Sequence, residues 1–246
     1  MNMATTTCFF RRILFMASRN YCSRSEPIRG IIFDMDGTLT LPVLDFQGLR
    51  NKLGMDKSMD ILEFASTHPP DQRDKIYEMI EQWEAEGIAN MKLRPHLHAM
   101  LSSLKQSNVH VALLTRNNQH AVDAFLRKLL SDDADNVFKN KSEDVFSVVL
   151  TRDFLPYKPH PAPALHICSE WGVSPENVVL VGDDVQDIEC GRRAGTVTTL
   201  VNKPGKNEKV RETADFSIDC LSEITELLKD NFSEYRTRPA SESEHS

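Results

Sequence analysis

The chain has 246 residues, of which 40% are hydrophobic and 26% are charged, and its formal net charge is −7. A chain of this composition has enough apolar side chains to form a core, which excludes an intrinsically disordered protein. The acidic charge argues against nucleic acid as the main partner, and no uncharged apolar run approaches the roughly 20 residues of a membrane helix, so we expect no membrane partner.

Residues 1–25 differ from the remainder in charge. They contain arginines but no acidic side chain, and the first acidic residue is Glu26. Basic, hydroxyl-rich and acid-poor N-termini are typical of organelle transit peptides. We therefore expect residues 1–25 to be a transit peptide and the protein to reside in a mitochondrial matrix or a plastid stroma. The arginine-rich amphipathic start slightly favours the mitochondrion.

Short apolar runs follow at intervals from residue 28 onwards. They cover residues 28–33, 109–114, 145–150, 177–181, 197–201 and 215–218. These runs are apolar with little polar alternation, as expected for strands that are buried on both faces of a parallel sheet. Amphipathic segments typical of helices lie between or after them, at 121–130, 162–171, 188–194 and 221–229. This alternation predicts an α/β fold with a doubly wound, Rossmann-like parallel sheet.

Residues 41–91 interrupt the alternation. They contain no strand candidate, and segments 59–65 and 73–84 have helical character. We therefore expect a small helical cap at 41–91, inserted after the first strand of a core domain. That core domain would comprise residues 26–40 and 92–230. The polar, acidic segment 231–246 is expected to be a disordered tail.

Polar side chains follow the apolar runs at positions where an open parallel sheet places its chemistry. Asp34 ends the first run, and Asp36 follows two positions later. Two such carboxylates repel one another unless a cation or a proton lies between them, which indicates a metal site or acid–base chemistry. Thr115 follows the second run, and Lys158 lies in a proline-rich loop that restricts its backbone.

An acidic cluster follows the fourth run, where Gly182 precedes Asp183, Asp184 and Asp187. Asp183 comes directly after the strand, and Asp187 lies one helical turn further on, so both can face the same site. We rank Asp183 first as a direct metal ligand and Asp187 second, through a water. Asp184 is expected to turn away and cap the following helix. Carboxylates, a hydroxyl and a lysine are together the groups needed to handle phosphate.

These residues form four motifs in a fixed order. The first, Asp34-Met35-Asp36-Gly37-Thr38, matches the pattern DxDGT at every fixed position, and Thr115, Lys158 and the GDxxxD run at 182–187 follow. Over residues 28–220 the sequence resembles the haloacid dehalogenase superfamily of phosphohydrolases. The segment 92–117 resembles its phosphoglycolate phosphatase-like branch.

The resemblance implies a Mg²⁺-dependent phosphatase that acts on a small phosphorylated metabolite. It implies that Asp34 is the nucleophile and forms an aspartyl-phosphate. Asp36 would protonate the leaving group and then deprotonate the attacking water. Thr115 and Lys158 would bind the phosphoryl group. Mg²⁺ would be held by Asp34, Asp183 and the backbone carbonyl of Asp36.

Two further side chains are candidates for substrate contact. Arg116 and Asn117 directly follow Thr115 and could reach the leaving group. For Asn117, a role at the start of the following helix is nearly as well supported.

Three alternatives share part of this pattern. A phosphomutase uses every residue named above and differs only in transferring the phosphoryl group to a second substrate. A phosphometabolite-binding relative without turnover would normally lack Asp34 or Asp36, and both are present here. A phospho-receiver domain has neither a second carboxylate at the position of Asp36 nor an insertion such as 41–91.

Overall fold

A computed structural model describes residues 21–22, 26–43, 46–55, 59, 61–133, 138, 145–203, 208–232 and 235–236. The expected transit peptide and most of the expected tail lie outside the described residues, apart from a two-residue antiparallel pairing of Tyr21–Cys22 with Tyr235–Arg236. Among the described helices, none combines the length and the apolar character needed to cross a bilayer.

A six-stranded, all-parallel sheet forms the centre of the molecule. In chain order its strands are β1 (Gly30–Phe33), β2 (His110–Leu114), β3 (Val148–Leu150), β4 (Val178–Gly182), β5 (Val197–Val201) and β6 (Phe216–Ile218). Their order across the sheet is β3-β2-β1-β4-β5-β6. The six predicted strands and the predicted α/β fold class are therefore confirmed, with ends that differ by up to three residues.

Nine helices of the described chain surround or extend this sheet. They are α1 (Phe46–Leu53), α2 (Ile61–Ser66), α3 (Pro70–Ala89), α4 (Leu97–Gln106), α5 (Gln119–Ser131), α6 (Ala162–Trp171), α7 (Val185–Ala194), α8 (Glu208–Thr213) and α9 (Ser222–Lys229). The four helices predicted between or after the strands correspond to α5, α6, α7 and α9. The short helices α1 and α8 were not predicted.

The strands are apolar on both faces because each face packs against its own layer. Ile31 and Phe33 of β1 belong to one buried cluster with residues of α4, α5 and α9. Ile32, which points to the opposite side, belongs to a second cluster with residues of α6 and α7. The alternation of successive side chains between faces therefore explains why the sequence shows continuous apolar runs.

The register of the sheet brings the polar residues that follow the strands together at the carboxyl ends of the strands. Residues 30–33 of β1 align with 110–113 of β2 and with 178–181 of β4. Because the three strands are parallel and end at nearly the same level, the residues that follow them meet above the middle of the sheet.

Helices α1, α2 and α3 occupy the interval 41–91. They pack around a small apolar cluster of their own, to which Leu49, Ile61, Ile76 and Ile80 belong. Two antiparallel segments join these helices to the sheet: the N–H of Leu41 donates to the carbonyl of Lys92, and the N–H of Arg94 donates to that of Leu39. We refer to residues 41–91 as the cap. The helices predicted at 59–65 and 73–84 correspond to α2 and α3.

Two residues at the start of the expected tail, Asn231 and Phe232, pack against the core domain. Phe232 is fully buried, with its ring 5.2 Å from that of Phe216. The side-chain Oδ1 of Asn231 accepts a hydrogen bond from the N–H of Ile28 (2.8 Å). Both residues therefore belong to the core domain. The burial of Phe232 is favourable because an aromatic side chain gains free energy when it is removed from water, even within a polar segment.

Candidate active site

The first strand leads into a tight turn that carries two motif carboxylates. The N–H of Asp34 donates to the carbonyl of Val181 on β4 (2.9 Å), so this residue continues the sheet. Gly37 has φ +77°, in the left-handed region that favours glycine. A Cβ atom at Gly37 would lie 2.1 Å from Oδ2 of Asp183. The turn beside Asp36 therefore approaches an acidic side chain that follows β4 so closely that only glycine fits.

A buried lysine links the ends of three elements. The Nζ of Lys158 donates to Oδ1 of Asp34 (2.7 Å), to Oδ1 of Asp187 (2.7 Å) and to the carbonyl of Leu114 (2.9 Å). These acceptors follow β1, belong to α7 and end β2. Because an ammonium group has three N–H donors, all three are used. Lys158 therefore fixes the positions of two carboxylates relative to the sheet.

The electrostatics of this pair follow from burial. Burial outweighs the attraction of Lys158 and raises the pKa of Asp34 to about 7, with a further rise from the charge of Asp187. Burial lowers the pKa of Lys158, but the attraction of Asp187 and Asp34 prevails, so that this pKa is raised. Lys158 therefore stays charged at neutral pH, whereas the carboxyl group of Asp34 titrates close to pH 7.

Asp183 forms a buried cluster with the two carboxylates that contact this lysine. Oxygen atoms of Asp34, Asp183 and Asp187 all lie within 4.8 Å of one another. An all-oxygen donor set of carboxylates is what Mg²⁺ prefers in proteins. Carboxylates at this spacing also need positive charge to be buried together. The side chains present therefore fit the magnesium site that the sequence predicts.

The start of α7 explains the positions of the two distal carboxylates. The side chain of Asp184 accepts a hydrogen bond from the N–H of Gln186, which makes Asp184 the N-cap, as predicted. Oδ2 of Asp187 accepts from the N–H groups of Asp183 (3.2 Å) and Asp184 (3.1 Å). This reciprocal arrangement is a capping box. It leaves Asp184 exposed and Asp183 and Asp187 buried.

Asp36 has different partners from Asp34. Its Oδ2 accepts a hydrogen bond from the Nδ2 of Asn117 (2.7 Å), and its Oδ1 accepts one from the hydroxyl of Thr40 (3.2 Å). Burial raises the pKa of Asp36, while these two donors act in the opposite direction. The two carboxylates of the first motif are therefore held by separate groups, although they are only two residues apart.

The loop after β2 contains three predicted site residues, Thr115, Arg116 and Asn117, and each has different hydrogen-bond partners. Thr115 is buried, and its hydroxyl accepts from the N–H of Asn117 (3.1 Å). Arg116 donates to Oε1 of Gln186 (2.6 Å), and its guanidinium lies 4.5 Å from the centre of the Tyr157 ring. The amide of Asn117 is directed at Asp36. The alternative of a helix-start role for Asn117 is wrong, because the residue that caps α5 is the next one in the chain.

Two basic residues near the site were not predicted. Lys203 forms an ion pair with Oδ2 of Asp183, and Arg94 donates from Nη2 to the carbonyl of Gly37. Lys203 follows β5 by two positions, so its proximity to a strand end was a usable signal. Arg94 offered no such signal, because it lies in a segment that joins the cap to the sheet.

One residue of the cap contacts the loops at the strand ends. Oε1 of Glu84, on α3, forms an ion pair with Nη1 of Arg152 (2.6 Å), in the loop after β3. Oε2 of Glu84 accepts from Nδ2 of Asn118 (2.7 Å), in the loop after β2. The cap is therefore fastened to the same loops that surround the candidate site.

Comparison with known proteins gives consistent results. The sequence profile of the haloacid dehalogenase-like hydrolase family matches residues 46–201. A haloacid dehalogenase-like hydrolase domain-containing protein of Arabidopsis thaliana is 37% identical, over 83% of this chain and 85% of its own length. A phosphoglycolate phosphatase of Thiobacillus denitrificans is 27% identical, over 79% of this chain and 91% of its own.

Solved structures share the fold. The structure of CbbY from Rhodobacter sphaeroides in complex with xylulose-(1,5)bisphosphate has a TM-score of 0.57 and 20% sequence identity, and covers 80% of this chain and 96% of its own. The match to the family profile and the Arabidopsis relative confirm the resemblance that the four motifs indicated. The chain belongs to the haloacid dehalogenase-like hydrolase family, and its enzyme class is that of the family's phosphatases.

Proposed function

We propose that the protein is a Mg²⁺-dependent phosphatase that hydrolyses a small phosphorylated metabolite through an aspartyl-phosphate on Asp34. The observation that carries this proposal is the separation of the two motif carboxylates. Asp34 is paired with Lys158 at 2.7 Å, whereas Asp36 is partly buried and is hydrogen-bonded to the neutral donors Asn117 and Thr40. The first environment suits a nucleophile, and the second suits a group that gives and takes a proton.

In the first step, an oxygen of the Asp34 carboxylate attacks the phosphorus atom and the bond to the leaving oxygen breaks. Asp36 donates its proton to that leaving oxygen, so that an alcohol departs. The hydroxyl of Thr115 binds the phosphoryl oxygens, and Lys158 does so by exchanging one of its three hydrogen bonds for a phosphoryl oxygen. Without these two groups the negative charge of the phosphoryl oxygens would repel the attacking carboxylate. The product of this step is the phosphorylated side chain of Asp34 and an ionised Asp36.

In the second step, water attacks the phosphorus atom of the phosphorylated Asp34. The ionised Asp36 accepts a proton from that water, the acyl phosphate bond breaks, and inorganic phosphate is released. Asp34 returns as a carboxylate and Asp36 as an acid. Every proton that leaves one group is thus received by another.

The residues that would hold Mg²⁺ are Asp34, Asp183 and the backbone carbonyl of Asp36, with Asp187 acting through a water. When bound, the ion would neutralise charge on the phosphoryl oxygens. The proposal is supported by the buried cluster of three carboxylates and by its all-oxygen chemistry.

The cap alone does not fix the size of the substrate, and the proposal of a small metabolite is supported by the named relatives. The three helices of the cap form a small unit that Glu84 fastens to the loops after β2 and β3. A small cap of this kind can close over a small metabolite, and it can also leave the site open to a larger substrate. A relative named phosphoglycolate phosphatase and the bisphosphate complex of CbbY support a small phosphorylated metabolite. Arg116 is the proposed contact for the part of the substrate beyond the phosphate.

The test is the release of inorganic phosphate by the full chain, over a panel of small phosphorylated metabolites. Release that requires Mg²⁺ and is lost in Asp34→Asn would support the proposal. Analysis of the products separates hydrolysis from transfer of the phosphoryl group to a second metabolite, as a phosphomutase would catalyse. Absence of turnover by folded, Mg²⁺-loaded protein across the panel would contradict it.

We also propose that residues 1–25 direct import into an organelle, with the mitochondrion slightly favoured over the plastid. The arginines and the absence of acidic residues in this segment support the proposal. A fluorescent protein fused to residues 1–25 should enter the organelle, and a fusion in which Arg11 and Arg12 are changed to glutamate should remain outside. Retention of the first fusion in the cytosol would contradict the proposal.

A further inference from the structure

Asp36 is held by one strong and one weaker donor. The Nδ2 of Asn117 lies 2.7 Å from Oδ2 of Asp36, and the hydroxyl of Thr40 lies 3.2 Å from Oδ1. Because the donors contact opposite oxygens, they oppose rotation of the carboxyl group about its Cβ–Cγ bond. The orientation of this group decides whether its proton can reach a leaving oxygen.

The backbone of Asn117 is itself fixed on both sides. Its N–H donates to the hydroxyl of Thr115 (3.1 Å), and its carbonyl accepts from the N–H of Arg152 (3.0 Å). The first bond ties Asn117 to a predicted phosphate-binding residue. The second ties it to the loop after β3. The amide therefore projects towards Asp36 from a backbone that is pinned at both its N–H and its carbonyl.

The adjacent asparagine has a different set of contacts. Oδ1 of Asn118 accepts from the N–H of Ala121 (2.8 Å) and caps α5, while its Nδ2 donates to Glu84 of the cap (2.7 Å). Two consecutive residues of the same type thus have separate partners. Asn118 is therefore a matched control for Asn117, with the same side chain and the same loop but no bond to Asp36 in the structure.

We infer that Asn117 is a positioning residue, which orients the carboxyl group of Asp36 for proton transfer to the leaving oxygen. The inference rests on the proposed function, because it assumes that Asp36 acts as the general acid. It replaces the substrate contact that the sequence indicated for Asn117. Asn117 touches neither the phosphoryl group nor the leaving group in this account, and acts through Asp36 alone.

A positioning role of this kind has a signature in the choice of leaving group. An alkoxide is strongly basic and needs a proton as it departs, whereas p-nitrophenolate is weakly basic and can leave without one. For a substrate whose leaving group needs a proton, a correctly oriented general acid raises the rate of leaving-group departure about 10²–10⁴-fold. Loss of Asn117 should therefore slow alkyl phosphates far more than p-nitrophenyl phosphate. A general loss of folded protein would slow both equally.

The experiment measures kcat/KM of the full chain for ethyl phosphate, phenyl phosphate and p-nitrophenyl phosphate. This parameter reports the steps up to the departure of the leaving group, so the later attack of water does not mask the effect. We expect Asn117→Ala to lower kcat/KM about 10²-fold for ethyl phosphate and less than about 10-fold for p-nitrophenyl phosphate. Asn117→Gln, which keeps the amide donor, should recover part of the loss.

Two reference variants separate the possible failures. Asp36→Asn should show the same selective loss in full, and Asn118→Ala should show no selectivity between the three esters. Equal loss for all three esters in Asn117→Ala, with selectivity retained in Asp36→Asn, would overturn the positioning role alone. Absence of selectivity in Asp36→Asn, or of any turnover by the wild type, would overturn the proposed function and the inference with it.

Discussion

Lys203 forms an ion pair with Asp183, one of the three buried carboxylates that would hold the metal. Lys158 forms ion pairs with the other two, Asp34 and Asp187. Each carboxylate of the cluster therefore has a lysine partner among the described residues. Because Lys203 contacts an oxygen of a proposed ligand, a bound metal ion would compete with this lysine for Asp183.

Lys203→Met should therefore affect metal binding and metal-free stability in opposite directions. Removing the competing charge should tighten Mg²⁺ binding about tenfold. In chelator, the same change should lower the free energy of unfolding by about 1–2 kcal/mol, because the buried Asp183 loses its ion pair with Lys203. Calorimetric titration with Mg²⁺ and thermal unfolding in chelator measure the two effects. Lys209→Met, at an exposed position on α8, should change neither, and an unaltered Mg²⁺ affinity in Lys203→Met would contradict the competition.

Gly37→Ala should disturb the metal cluster through a steric effect. The new Cβ would lie 2.1 Å from Oδ2 of Asp183, at a residue whose φ is +77°. We expect a loss of at least about 2 kcal/mol in the free energy of unfolding and a loss of Mg²⁺ binding. Gly54→Ala is the matched control: its φ is +64°, but among the described residues, apart from its chain neighbours, no atom lies within 4 Å of the added Cβ. It should cost only about 1 kcal/mol of backbone strain. Equal effects of the two substitutions would show that the contact with Asp183 does not matter.

The stability of the metal-free protein should depend on pH through Asp34. Burial raises its pKa from 3.8 to about 7. Between these values the folded state binds a proton at Asp34 that the unfolded state does not. The stability that this protonation contributes is therefore fully present below pH 4 and is lost as the pH rises through 7. Asp34→Asn removes this titration. Its stability relative to the wild type should therefore increase by up to roughly 1.4 kcal/mol per pH unit between pH 4 and 7.

Chemical denaturation in chelator at several pH values measures this difference. Asp71→Asn, at an exposed position in the first turn of α3, provides the control and should show no comparable trend. A stability difference between Asp34→Asn and the wild type that does not change from pH 4 to pH 8 would contradict the burial of an ionisable Asp34.

Glu84 should control the attachment of the cap. Glu84→Ala removes the ion pair with Arg152 and the hydrogen bond from Asn118. We expect faster hydrogen exchange in α1, α2 and α3 and a loss of about 1 kcal/mol in global stability, because the pair is only partly buried. Glu81→Ala, at an exposed position nearly one turn earlier on the same helix, should leave exchange in the cap unchanged. The same exchange rates in both variants would show that Glu84 does not fasten the cap.

Much of the fold followed from the sequence because the sheet is covered on both faces. That burial makes each strand a continuous apolar run, and the residue after each run is then a strand-end residue, as for Asp34, Thr115 and Asp183. The apolar run at 145–150 predicts a strand that is longer than β3. Val145 and Phe146 are buried in the core, but they precede the strand. The sequence does not predict the burial of Phe232, because this residue lies in a segment whose composition is mostly polar.

The partners of the site residues could not be read from the sequence. Asn117 and Asp36 are 81 positions apart, and Lys203 contacts Asp183 across two adjacent strands. Such contacts depend on the register of β1, β2, β4 and β5, which local patterns do not specify. The four motifs predicted which residues carry the chemistry, and the structure shows which groups are hydrogen-bonded to them.

The most direct test of the account is to look for a phosphoryl group on Asp34 during turnover. The full chain with Mg²⁺ is mixed with p-nitrophenyl phosphate, quenched in acid within milliseconds and digested, and the peptide that contains Asp34 is analysed by mass spectrometry. We predict one phosphoryl group on Asp34 in the wild type and none in Asp34→Asn. Release of inorganic phosphate without phosphorylated Asp34 at any quench time, or with the phosphoryl group on another residue, would contradict the central claim.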